Sequence, residues 1–184
     1  MNTPRRLLNR GWVTAEVKKE LVQAKALVYR IKITLVGLEP AVWRRVLVPG
    51  DVNLAGLHWV IQYVMGWSNS HLHMFHVGET RYAPRTPDWD DVEDEHKVIL
   101  RDIAPDAGFK FFYEYDMGDS WQHRIAVEAV APATSGFQGP ECLAGAGACP
   151  PEDCGGIGGY EDFLAAIRDP KHEQHDEMVE WVGE

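Results

Sequence analysis

Three cysteines lie close together in a segment that is otherwise rich in glycine, proline and alanine. Cys142, Cys149 and Cys154 have the spacing C-x6-C-x4-C. Thiolates are preferred ligands of zinc, and three of them on a short segment can converge on one ion if a fourth ligand joins them. His123 is the expected fourth ligand, with an aspartate or a water as the alternative. The spacing is not the tight C-x2-C pair of a zinc ribbon, so reduced thiols in a surface loop and a reversible disulfide stay open as interpretations.

A second group of reactive side chains surrounds a predicted turn. Asp116 and Asp119 lie on either side of Gly118, and His123 follows four residues after Asp119. An Asp/Asp/His set can bind a divalent cation or act as general acid and base. A structural interpretation is equally open, because turn aspartates often accept hydrogen bonds from the backbone and a histidine on an apolar strand face is often a hydrogen-bonded core residue.

Two further histidines occupy alternate positions of a predicted strand over 71–77. His71 and His73 therefore point to the same side of that strand, where they can bind one ion or a phosphate. A buried stripe that contains His73 explains the same pattern. If this strand lies near the one that holds His123, the histidines and aspartates form one cluster. The candidate catalytic set is His71, His73, Asp116, Asp119 and His123.

Alternation of apolar and polar residues predicts the strands that must position these side chains. Turn residues separate the strands within each of two pairs, so each pair should form an antiparallel hairpin. The first hairpin consists of strands over 27–35 and 42–48, and the second of strands over 109–115 and 121–130.

The helices follow from capping residues and apolar periodicity. Asn53 caps a helix over 54–65 that is apolar around most of its circumference, so we expect it to be central and buried beneath the second hairpin. The predicted fold class is α+β, with antiparallel β-hairpins packed on this helix and further helices at the C-terminal end. The remaining predictions are a loop over 83–96, a short strand over 98–100, no regular structure over 131–159, and helices over 160–168 and 172–181.

The net charge of −10 is unevenly distributed. Residues 1–30 contain seven basic and two acidic side chains, which leaves −15 for the rest of the chain. Such an acidic body argues against nucleic-acid binding through the main domain. We expect residues 1–26 to form a basic arm with a short helix, dispensable for folding, and residues 27–184 to form a single domain. The arm can contact nucleic acid, although packing on an acidic surface of this chain or a neighbour is the simpler expectation.

The composition also indicates in which cellular compartment the protein lies. Hydrophobic residues make up 45% of the 184 residues, but they form no apolar run of the roughly 20 residues that a membrane helix needs. Three cysteines, an odd number, do not suggest a secreted disulfide framework. We therefore predict a cytoplasmic protein that does not bind membranes, with an unknown protein partner. The acidic run over 88–95 is predicted to be solvated.

Several segments, taken in order, resemble a known family. The resemblance covers roughly residues 27–182 and is to the Ri-plasmid open-reading-frame-three-like family, some members of which are labelled passenger proteins of insertion elements. It implies an α+β fold and a plasmid or mobile-element association, but no settled activity. Family members usually continue past the equivalent of Gly183 with a short acidic tail, which implies a C-terminal truncation here. The segments that carry the resemblance are Trp43-Arg44-Arg45-Val46, the stretch from Leu57-His58 to Gly66-Trp67, Ser70 to Phe75, Tyr115 to His123, and Cys149 to Gly156 followed by Gly159-Tyr160.

Two hypotheses about function follow. The first is a non-catalytic binding or accessory module, with a bound metal, zinc by preference, as an optional stabilising element. The alternative is a metal-dependent hydrolase or nuclease that uses the five-residue His/Asp set. An enzyme requires those five side chains to converge on one open pocket, whereas a binding module does not.

Overall fold

The computed structural model describes residues 26–86 and 89–183. Eight strands form one sheet with the order β5-β4-β3-β6-β7-β1-β2-β8. The β4–β5 pair is parallel and all other neighbouring pairs are antiparallel. The strands are β1 (Leu27–Leu35), β2 (Trp43–Pro49), β3 (His73–Val77), β4 (Thr80–Ala83), β5 (Glu93–Asp94), β6 (Lys110–Tyr115), β7 (Trp121–Pro132) and β8 (Glu141–Ala146).

The described helices connect the strands or follow them. Helix α1 (Leu54–Met65) begins after Asn53, whose side chain accepts a hydrogen bond from the Gly56 N–H, and ends at Gly66, whose φ of 87° suits a residue without Cβ. A 3₁₀ turn, Glu95–Lys97, precedes a single-turn helix. The α-helices are α1 (Leu54–Met65), α2 (Leu100–Ile103), α3 (Gly156–Arg168) and α4 (His175–Val182).

The α+β fold class and both hairpins are confirmed. Strand β1 pairs with β2, and β6 pairs with β7. The second hairpin contacts α1 as predicted, because the Tyr113 hydroxyl of β6 bonds to the side chains of His58 and Gln62. The alternating pattern thus assigns these elements correctly.

Several local predictions are wrong. The segment 98–100 is not a strand, because Ile99 makes a single bridge to Asn53 and a helical turn begins at Leu100. The third strand begins at His73 instead of His71. The acidic run is not solvated throughout, because Glu95 is 2% exposed. The predicted loop over 83–96 contains β5, and the segment 131–159 contains β8.

Segment 131–159 is held in place by contacts that its own composition does not reveal. Strand β8 pairs with β2. The guanidinium of Arg44 donates to the carbonyls of Ala146 and Gly147, and the Tyr160 hydroxyl donates to the Ala148 carbonyl at 2.8 Å. The Trp67 indole donates to the Pro150 carbonyl at 2.9 Å. Partners distant in sequence therefore order a stretch without hydrophobic periodicity.

The sheet has one buried face and one exposed face. The inner face contributes alternate residues such as Ile31, Tyr113 and Ile125, which are fully buried with Leu57 and Ile61 of α1. We call the opposite side of strands β6, β7, β1 and β2 the outer face. The alternation that fills the core therefore also fixes which side chains the outer face presents.

The predicted basic arm lies almost entirely outside the described residues. Its dispensability for folding, like the single-domain boundary at residue 27, stays a prediction. No helix among residues 26–86 and 89–183 has the length and apolar character that a membrane span requires.

Candidate functional site

His71 meets three carboxylates at one end of the sheet. Its Nε2 atom lies 3.1 Å from Asp153 Oδ1, 3.7 Å from Asp116 Oδ2 and 3.7 Å from Glu152 Oε2. His71, Asp116 and Asp153 each offer a ligand atom within 4.8 Å of the others. Of the residues that the structure describes, these three form the cluster of histidine, cysteine and acidic side chains that can hold a metal ion.

The sheet register brings His71 and Asp116 together. His73, Tyr115 and Trp121 are neighbours on β3, β6 and β7, so His71, two residues before β3, and the turn between β6 and β7 lie at the same end. Asp116 has a positive φ of 57°, and its Oδ1 accepts a hydrogen bond from the Gly118 N–H at 2.9 Å. Its backbone N–H donates to Leu72 O at 2.9 Å. One carboxylate oxygen thus stabilises the turn, while the other faces His71.

The connection between β8 and α3 supplies the other two carboxylates. Glu152 Oε1 accepts a hydrogen bond from the Ser68 N–H at 2.8 Å and another from the Tyr115 hydroxyl at 3.1 Å. Asp119 Oδ2 accepts from the Gly155 N–H at 3.0 Å, two residues beyond Asp153. The loop is therefore fastened on both sides of Asp153, whose own side chain is 69% exposed.

The electrostatics of this cluster favour a cation. Three acidic side chains face one imidazole nitrogen, which is enclosed but makes no hydrogen bond of acceptable geometry. Burial, followed by the charge of Glu152, raises the pKa of Tyr115 to about 12. The Tyr115 hydroxyl therefore keeps its proton and acts as a donor to Glu152. A divalent ion would balance the carboxylates and accept the free nitrogen as a ligand.

The structure does not bring His73 to this cluster. His73 Nε2 lies 2.8 Å from the buried Glu95 Oε2, and its ring stacks on His58 with centroids 3.6 Å apart. His58 donates from Nε2 to Asn69 Oδ1 and accepts the Tyr113 hydroxyl proton at Nδ1, over 3.0 and 2.7 Å. Burial, then the neighbouring His73, lowers the pKa of His58 to about 3. These residues form a closed polar network inside the core.

His123 is also separate from His71. It is fully buried on the inner face, with its ring edge-on to Trp67 at 5.2 Å between centroids. Its Nδ1 lies 3.3 Å from the Tyr113 carbonyl, while Nε2 has no hydrogen-bond partner among the described residues. Burial lowers the pKa of His123 to about 4, so the imidazole is neutral at pH 7. Of the five candidate catalytic residues, His71 and Asp116 meet directly, and Asp119 holds the loop beside them.

The three cysteines occupy different surroundings. Cys142 is exposed on β8, whereas Cys149 lies between the Met65 sulfur at 3.3 Å and the Arg44 guanidinium at 3.4 Å. Burial raises the pKa of Cys149, and burial followed by the charge of Asp119 raises that of Cys154 to about 12. Within the described ranges these thiols and His123 do not form a cluster of ligand atoms close enough for one ion. The zinc site predicted from them stays a prediction.

Sequence analysis missed Glu152 and Asp153 as possible ligands. Both belong to the Pro-Pro-Glu-Asp-Cys-Gly-Gly segment, in which the cysteine was the predicted ligand. A signal was nevertheless present, because two acids are separated by only one residue, Cys154, from the glycines that begin a helix. Their meeting with His71 depends on β8, which gives no periodic signal, so the spatial relation was not predictable.

The start of α3 offers a test of how tightly the loop is positioned. An alanine Cβ at Gly159 would overlap the carbonyl oxygen of Cys154, whereas a Cβ at Gly158 meets no atom within 4 Å. We expect Gly159→Ala to lower the free energy of unfolding by about 1–3 kcal/mol, because the helix start must shift. Gly158→Ala should instead raise it by up to about 1 kcal/mol through lower backbone entropy. Urea unfolding of both variants measures this difference, and equal effects would contradict the close packing at residue 159.

Comparisons with known proteins agree on the fold and the family. The chain is 45% identical over 160 residues to the uncharacterized protein y4hQ of Sinorhizobium fredii, covering 86% of this chain and 82% of that protein. It also resembles the crystal structure of MM3350, a protein of unknown function from Methanosarcina mazei Go1, with a TM-score of 0.77 and 34% identity over 86% of this chain and 90% of the other. The family model for plasmid pRiA4b ORF-3-like proteins matches residues 27–184, and the chain belongs to that family.

Proposed function

We propose that this protein is a non-catalytic binding or accessory module that holds a divalent cation between His71, Asp116 and Asp153. The ion fastens the loop before α3 to the end of the β6–β7 hairpin. The observation that supports this most strongly is the His71 Nε2 atom, which faces three carboxylates at 3.1–3.7 Å and has no hydrogen bond.

The distances fit a shared ion. Two ligand atoms bonded to one metal at about 2.1 Å lie roughly 3.0–3.4 Å apart in tetrahedral or octahedral geometry. The separations from Nε2 to Asp153 Oδ1 and to Asp116 Oδ2 are 3.1 and 3.7 Å, so small side-chain rotations suffice. Glu152 Oε2 is a further ligand at the same range. One imidazole with several carboxylates suits Zn²⁺ or Mn²⁺ better than Ca²⁺ or Mg²⁺, which prefer oxygen ligands throughout.

Titration calorimetry with ZnCl₂ and with MnCl₂ tests the site. We expect one ion per chain, and at least a tenfold loss of affinity in His71→Gln and in Asp153→Asn. His76→Gln is the matched control, because His76 Nε2 faces the single carboxylate of Glu114 at 3.4 Å. Unchanged affinity in His71→Gln would show that the ion does not bind at this site. Loss of binding in Cys149→Ser would instead locate the ion at the cysteines.

The hydrolase alternative keeps one specific observation in its favour. Asp153 lines a groove of about 500 Å³ together with Phe163 and Trp181 of the C-terminal helices. An ion with three protein ligands retains open coordination positions that a substrate can reach from such a groove. Hydrolysis of bis(p-nitrophenyl) phosphate by the metal-loaded protein, abolished in Asp116→Asn, would favour the enzyme. Metal binding without turnover supports the accessory module.

A further inference from the structure

The outer face carries a charge opposite to that of the whole chain. The chain has a net charge of −10, yet this face presents five basic and two acidic side chains on strands β6, β7, β1 and β2. The local charge is therefore +3. The basic residues are Arg30, Lys32, Arg45, Lys110 and Arg124, and the acidic ones are Glu114 and Glu128.

The sheet register arranges these residues in two rows across the strands. In one row, Lys110, Ala126, Lys32 and Arg45 are successive cross-strand neighbours. In the adjacent row, the corresponding neighbours are Phe112, Arg124, Thr34 and Trp43. Neighbouring strands lie about 4.8 Å apart, so each row extends over roughly 14 Å from β6 to β2. Three cations in the first row therefore lie beside two aromatic rings and one cation in the second, on one continuous surface.

Most of the positive charge is not neutralised within the described residues. Glu128 accepts two hydrogen bonds from Arg45, at 2.6 and 2.8 Å, and lies 3.2 Å from Arg30. One carboxylate thus serves two guanidinium groups. Arg124 and Lys110 are exposed and have no acidic partner in the described part of the chain. Lys32 also makes no ion pair with a carboxylate among these residues, so three whole cations and part of the Arg30 charge are available to an external anion.

Aromatic rings lie beside these cations. Phe112 is 43% exposed, which is unusual for a phenylalanine, and it borders a hollow of about 240 Å³ that His76, Glu114 and Gln122 also line. On the other side of Arg124, the Trp43 ring has the Lys32 ammonium 4.6 Å from its centroid. Phe112 supplies a surface on which a planar group can stack, and Gln122 supplies hydrogen-bonding groups next to it.

We propose that the outer face binds single-stranded nucleic acid, with phosphates on Lys110, Arg124 and Lys32 and a base stacked on Phe112. Sequence-tolerant binding of single strands combines a positive surface with exposed aromatic side chains, because unpaired bases have free faces. A duplex offers no free base face to Phe112, because its bases are paired and stacked on one another. An acidic protein would satisfy the cations but would leave the exposed ring and its hollow unexplained.

The net charge argued against nucleic-acid binding by the domain because it sums over the whole surface. Electrostatic attraction at a contact depends on the local field, which is screened beyond about 8–10 Å in physiological salt. The carboxylates around His71 lie on the loops at one end of the sheet, away from the centres of these rows. A local charge of +3 can therefore attract a phosphate backbone on a protein that is acidic overall.

Fluorescence anisotropy with labelled dT12 and U12, measured on the full chain, tests this proposal. We expect Phe112→Ala to weaken binding at least fivefold, and Lys110→Glu combined with Arg124→Glu to weaken it at least tenfold and to flatten the dependence on salt. The matched controls lie off this face: Tyr63→Ala removes an aromatic ring that is 88% exposed on α1, and Lys171→Glu reverses an exposed charge between α3 and α4. Both controls should bind as the unmodified chain does.

Three outcomes would overturn the proposal. Absence of binding to either oligonucleotide at low salt is the first. Binding that the outer-face variants leave unchanged is the second, and it would assign the contact to another basic segment such as residues 1–25. Binding of polyglutamate as tight as that of dT12, with no effect of Phe112→Ala, is the third, because it would indicate a general anion surface that suits an acidic protein.

Discussion

Replacing Glu95 with alanine is expected to lower the free energy of unfolding by about 3 kcal/mol or more. Glu95 and His73 are 2% and 5% exposed. Their side chains form a hydrogen bond with 2.8 Å between Glu95 Oε2 and His73 Nε2. Removing the carboxylate leaves a buried imidazole without that partner and opens a space beneath the 3₁₀ turn. Breaking a buried pair costs more than the pair itself contributes, because the remaining group is desolvated and uncompensated.

Two further variants make this expectation specific. Glu95→Gln keeps an oxygen within reach of His73 and should lose less stability than Glu95→Ala. Glu93→Ala removes an exposed carboxylate two residues away and should change the free energy by less than about 0.5 kcal/mol. Urea unfolding at pH 7 measures all three. A Glu95→Ala variant as stable as Glu93→Ala would show that the buried pair is not needed by the fold.

Acidification from pH 6.5 to pH 4 is expected to destabilise the protein strongly. Burial lowers the pKa of His123 from 6.5 to about 4, and burial with the adjacent His73 lowers that of His58 to about 3. Between these values and 6.5 the unfolded chain binds protons that the folded chain does not, so stability is complete above pH 6.5 and is lost as the pH falls. For the fully buried His123 alone, the free energy of unfolding should be lower by about 3 kcal/mol at pH 4 than above pH 6.5.

A variant separates this effect from general acid denaturation. His123→Leu removes one titrating group at a position where Nε2 has no partner among the described residues, so the slope of stability against pH should become shallower between pH 6.5 and pH 4. Leu143→Ala removes an exposed side chain that does not titrate, and its slope should match that of the unmodified protein. Identical slopes for His123→Leu and the unmodified protein would show that His123 titrates normally.

Patterns within a single element were sufficient to predict much of the fold. Residues Tyr29 to Leu35 alternate because one side of β1 is buried, and Asn53 and Gly66 mark both ends of α1 through their backbone requirements. Strand β8 was not predictable in this way, because its small residues, Ala144 to Ala146, show no contrast between two faces. It exists because β2 offers an unpaired edge and Arg44 bonds to the carbonyls that follow.

The candidate site was predicted less completely, for a related physical reason. His71 and Asp116 follow from the strand register, but alternation could not show that His73 turns to Glu95 or that His123 lies under Trp67. Glu95 was placed in solvent because its neighbours are acidic, yet the 3₁₀ turn rotates this one side chain inwards. Side-chain partners that are distant in sequence leave no periodic signal, so composition alone assigns them wrongly.

The position of β1 between β2 and β7 also bears on how the chain folds. The two hairpins have short turns and can form independently, but Ile31 pairs with Val127, nearly a hundred residues later. Closing so long a loop costs conformational entropy before any contact in the central pair compensates for it. We therefore expect the joining of β1 to β7 to limit the rate of folding. Before that pairing forms, the edges of β1 and β7 have unpaired backbone groups that another chain can bind.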